Sequence, residues 1–70
     1  MKRNDVIVGR CYTNGTGTTR EVLEIIPATE NTIPAVSYYI RASPTGIRVG
    51  LVKECGLAKF AAWARTSWKP

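Results

Sequence analysis

The chain has no histidine, only five carboxylates and only two cysteines among its 70 residues. Without histidine, proton transfer near neutral pH loses its usual agent. Two thiols cannot complete a four-ligand zinc site, and Cys11 and Cys55 do not form a CxxC pair. Neither cysteine has an evident base beside it, so a thiolate nucleophile is not indicated. Asn14-Gly15-Thr16-Gly17 holds two glycines but no following lysine, so it lacks the phosphate-cradling pattern. The expectation is therefore a non-enzyme with no metal, no cofactor and no catalytic residue.

Long apolar runs are also missing. Near the N-terminus only Val6-Ile7-Val8 is continuously apolar, too short for a secretory core, and nothing approaches a membrane span. These absences point away from a membrane partner and toward reduced thiols in a cytoplasm.

Cations are abundant by contrast. Ten Lys and Arg against five Asp and Glu give a net charge of +5 and an isoelectric point near 9.7. They are spread along the chain, which suits a folded basic domain facing phosphate backbones or an acidic protein surface. The hydrophobic fraction of 44% is too high for disorder, and the length fits one domain over residues 1–70.

Residues 1–5 read as a frayed N-terminus. Arg10–Thr13 reads as a first strand, and Asn14-Gly15 as a hairpin turn into a second, Thr18–Ile26. In that strand simple alternation puts Leu23 and Ile25 on one face, with Arg20, Val22 and Glu24 on the other. Pro27–Pro34 is a loop. Ala35–Ala42 forms a third strand with Val36, Tyr38 and Ile40 inward, and Ser43-Pro44-Thr45-Gly46 forms a turn. Ile47–Lys53 gives a fourth strand with Ile47, Val49 and Leu51 inward. From Gly56 or Leu57 to Arg65, a helix gathers Leu57, Phe60, Ala61, Trp63 and Ala64 on one arc. Residues 66–70 are left as a C-terminal tail carrying Trp68.

The fold class that follows is α+β, mainly β: a small, bent antiparallel sheet of barrel type, with four or five strands, closed by one C-terminal helix. Its expected core is Ile7, Tyr12, Leu23, Ile25, Val36, Tyr38, Ile40, Ile47, Val49, Leu51, Leu57, Phe60, Ala61 and Trp63. On this alternation Arg20, Tyr39, Arg41 and Arg48 project from one sheet surface as a candidate nucleic-acid site. There cations would meet phosphates and the ring would stack on a base or sugar. Trp68, beside Lys69 and Pro70, is a candidate partner-binding anchor.

Four segments carry a resemblance: Val8-Gly9-Arg10-Cys11-Tyr12-Thr13-Asn14-Gly15, Thr19–Ile25, Val36-Ser37-Tyr38, and Cys55-Gly-Leu-Ala-Lys-Phe-Ala-Ala-Trp-Ala64. Together they resemble a group of small uncharacterised proteins encoded by bacteriophages and prophages. The shared pattern is Gly-x-x-Tyr, a glycine turn, Arg-x-Val-x-x-Ile, Val-x-Tyr and a closing Phe-Ala-x-Trp-Ala helix, and it is similar to Src-homology-3 (SH3)-like barrels. The Pro27–Pro34 loop departs from it. The resemblance implies a mobile-element origin and a host bacterial cytoplasm, and it supplies no site residues.

Three functions follow as expectations. The first is a small basic phage-type binding module that contacts nucleic acid. The second is a protein-binding inhibitor that covers an acidic surface of a host nucleic-acid-handling or antiviral defence complex, a host-takeover role. The third is a homodimer, since a small sheet has exposed edges.

Overall fold

The two segments richest in β-branched and aromatic residues form the central hairpin of the computed structural model, which describes every residue from Met1 to Pro70. In chain order the strands are β1 (Cys11–Thr13), β2 (Thr19–Ile26), β3 (Ala35–Ala42), β4 (Val52–Gly56) and β5 (Thr66–Trp68). Helix α1 (Leu57–Trp63) lies between β4 and β5, and a 3₁₀ turn at Arg3–Asp5 precedes β1. The strands make one antiparallel sheet in the order β4-β3-β2-β1-β5. The fold is α+β, mainly β. The sheet is open, because β4 and β5 are its two edges and do not pair with each other.

Several local expectations are corrected. The fourth strand begins at Val52, not Ile47, because Gly46 and Gly50 adopt φ of +74° and +92° and coil the chain between them into turns. Ile47 is consequently 81% exposed, and Val49 and Leu51 also face solvent. Ile7 is likewise exposed, and its neighbour Val6 is buried instead. The helix stops at Trp63, and the expected tail contains β5, held by pairing to β1 from Cys11↔Trp68 to Thr13↔Thr66.

The consequential correction lies in β2. Val22 faces Tyr38 and Glu24 faces Ser37, so Leu23 is an extra residue at a β-bulge. The bulge shifts the alternation by one. Arg20, Val22 and Ile25 share the helix side, whereas simple alternation put Leu23 with Ile25. Val22 is 1% exposed and Leu23 is 42% exposed.

The core lies between the sheet and α1. Phe60 is fully buried and meets Tyr12 edge-on at 5.4 Å, Tyr38 at 5.6 Å and Trp63 at 5.6 Å between ring centroids. Val6, Val22, Val36, Ile40, Ala61 and Ala64 complete it. Burying a side chain like Phe60 contributes about 1.5–3 kcal/mol, a large share of what a chain this short can hold. Gly56 precedes α1 without a capping side chain, so packing rather than capping sustains this 7-residue helix.

Candidate nucleic-acid interface

The strand registers sort side chains onto two faces. On the open face one row crosses all five strands: Trp68, Cys11, Glu21, Tyr39 and Val52. A second row there joins Glu24, Ser37 and Glu54. On the helix side the rows are Ser67-Tyr12-Arg20-Ile40, then Val22-Tyr38-Lys53, then Ile25-Val36-Cys55. Three of the five carboxylates therefore lie on the open face.

Arg20 is separated from the other predicted site residues, contrary to the expectation of a shared surface. Its neighbours across the strands are Tyr12 and Ile40, and its guanidinium lies over Trp63 at 4.0 Å and Tyr38 at 4.5 Å from the ring centroids, with Phe60 at 5.8 Å. The negative ring faces attract the cation. Arg20 Nε is buried without a hydrogen-bond acceptor. Lys53 sits beside this cluster as the β4 partner of Tyr38.

Cys55 connects the cluster to the helix. Burial pushes its thiol above its ordinary range; the charges of Arg20 and Lys59 act in the opposite direction, and the neighbouring Glu54 carboxylate adds to the rise. Arg20 lies over Tyr38 and Trp63, Lys53 pairs across the strands with Tyr38, Lys59 precedes Trp63 by one helical turn on α1, and none of the three makes an ion pair with a carboxylate. The sequence reading missed Lys53, Lys59, Tyr38 and Trp63 as site residues. No signal in the sequence alone separates these faces, because the bulge at Leu23 shows only in the pairing of Val22 with Tyr38 and of Glu24 with Ser37.

Tyr39, Arg41 and Trp68 do share the open face. Arg41 does so in a different role, since its Nη1 lies 3.6 Å from Glu21 Oε1 and donates to Cys11 Sγ at 3.4 Å. The hydrogen bond to Cys11, followed by the charges nearby, raises the Arg41 pKa further. Trp68 stays 42% exposed at the β5 end of its row. Arg48 is in the exposed Ile47–Gly50 turn, and its guanidinium makes no hydrogen bond or ion pair.

The cysteines are both free, with Cys11 on the open face and Cys55 on the helix side, so the sheet separates them. No group of three or more Cys, Asp or Glu side chains is placed to hold a metal ion. No helix is long and apolar enough to cross a membrane. A cleft of about 440 Å³ runs between Met1–Asn4 and Ala58, Ala61 and Ala62. Its residues are separate from the Arg20 cluster. The chain matches no known protein family, no curated protein and no solved structure.

Proposed function

We propose that this domain is a non-enzymatic, nucleic-acid-binding module that uses its helix-flanked face. The observation that carries the reading is the placement of Arg20, Lys53 and Lys59 beside the half-buried Trp63 and the buried Tyr38, while Glu21, Glu24 and Glu54 lie on the opposite face. A polyanion is attracted to the first face and repelled by the second. Tyr39 and Arg41, read from sequence as contacts, sit on the repelling side, and Arg48 is left as an auxiliary contact from its turn. The SH3-like assignment and a phage origin belong to the same proposal. The antiparallel succession β1 to β4, with β5 returning beside β1, supports the first of these, although the open edge keeps the sheet short of a barrel.

Binding to mixed-sequence single-stranded and duplex DNA at low and high salt tests the reading. Neutralising three phosphates gives a slope of log affinity against log salt of about −2 to −3. Absence of binding tighter than ~100 μM at low salt overturns it, since even non-specific binders fall near or below that value.

A second reading, a protein partner on the open face, is favoured by the exposure of Trp68 and Val52 at the two ends of the row that crosses that acidic surface. Retention of one stoichiometric protein from nuclease-treated host lysate, lost in Trp68→Ala, supports it. A homodimer through the free β4 edge is decided by sedimentation at micromolar concentration.

A further inference from the structure

We infer that Arg20 is a preset fork for one backbone phosphate, seated on Trp63 and Tyr38 and flanked by Lys53 and Lys59. The inference rests on the nucleic-acid reading above and deepens it. A surface arginine normally samples many rotamers and must be ordered when it binds. Arg20 is already ordered by two aromatic faces, at 4.0 Å from Trp63 and 4.5 Å from Tyr38.

Its hydrogen-bonding capacity is unspent. No carboxylate pairs with it, no protein acceptor takes any of its N–H groups, and Nε is sealed from solvent without a partner. The two Nη groups, which keep solvent contact, are therefore the donors available to a ligand. Two parallel N–H donors match a phosphate oxygen pair. Lysine in the same seat would keep the charge and lose both the planar stack and the fork. The flanking ammonium groups of Lys53 and Lys59 act as point charges that hold the neighbouring phosphates.

The charge-conserving exchange Arg20→Lys separates a fork from a mere cation. Affinity for short oligothymidylate should fall about tenfold, the scale of one charge-assisted hydrogen bond, with the salt slope unchanged. Lys59→Ala should instead lower the slope by about 0.7, the contribution of one phosphate contact on a single strand. Wild-type affinity in a folded Arg20→Lys protein overturns the fork and leaves the face reading standing if Lys59→Ala still weakens binding. No oligothymidylate binding by the wild type at low salt overturns both.

Because Arg20 also packs, the wild-type protein provides a measurement independent of folding. The Arg20 Nε–H and Trp63 indole N–H resonances should shift together on titration with oligothymidylate. If they stay fixed while lysine signals move, the fork is overturned. Equal binding to polyglutamate, with the same loss in Arg20→Lys, overturns phosphate as the ligand in favour of an acidic peptide.

Discussion

The fully buried Tyr12 hydroxyl donates to the Asp5 carbonyl at 2.6 Å. It also accepts the Ile7 amide at 2.7 Å, so one phenol anchors the segment that places Val6 in the core. Tyr12→Phe keeps the edge-on contact with Phe60 and strands both backbone groups. Leaving such groups unpaired costs about 1–3 kcal/mol. Urea unfolding should show that loss, and an unchanged midpoint would mean that water replaces the hydroxyl.

Phe60 touches three aromatic rings and lies under the Arg20 guanidinium. Phe60→Ala should destabilise by about 3–5 kcal/mol, enough to unfold most of a domain this small. Far-ultraviolet dichroism at room temperature checks this. Phe60→Leu should remain folded with a smaller loss.

The parts legible in the sequence are those in which local pattern and tertiary packing agree. Val36, Tyr38 and Ile40 alternate inward along β3 as read, and Phe60 and Ala61 face the core from α1. Failures have local causes. Leu23 sits at a bulge, which period-two counting cannot see without the register opposite Ser37. β5 is three residues long and exists because Thr13 and Cys11 offer it partners, a relationship invisible in Thr66-Ser67-Trp68 itself. The candidate site inherits the β2 error: with the faces exchanged, Arg20 parts from Tyr39 and Arg41 and joins Lys53 and Trp63 instead.

Gly50 shows how one backbone angle redirects a strand. Its φ of +92° lies where L side chains are strained, yet an added Cβ would meet nothing closer than the Tyr39 hydroxyl at 3.9 Å. The cost of Gly50→Ala is therefore conformational rather than steric, about 1–2 kcal/mol. Thermal unfolding should register it. A neutral outcome would mean that the Ile47–Gly50 turn relaxes to another conformation without loss.

The Cys55 thiol ties stability to pH. Its folded pKa is raised above the ordinary value of 9.0 by burial. Between the unfolded and folded values the native state binds more protons than the unfolded state, so stability falls as pH rises through that window. The contribution is fully present below pH 9.0, the unfolded value. Cys55→Ala should flatten the fall above that pH relative to wild type. Alkylation of the native protein at mildly alkaline pH should be slower at Cys55 than at a free thiol. Identical alkaline slopes in the two proteins would assign the fall to other groups.

The choice between faces turns on what surrounds each cation. Arg41 lies 3.6 Å from Glu21, and Glu24 and Glu54 share its side of the sheet. Removing Arg41 leaves a surface already unfavourable to phosphate. Lys53 lies beside Tyr38 with no carboxylate paired to it. Lys53→Ala should therefore weaken single-stranded DNA binding and reduce the salt slope by about 0.7. Arg41→Ala should leave the slope unchanged. The reverse pattern, a slope lost with Arg41 and kept without Lys53, would move the interface to the open face and make Tyr39 and Trp68 its aromatic platform.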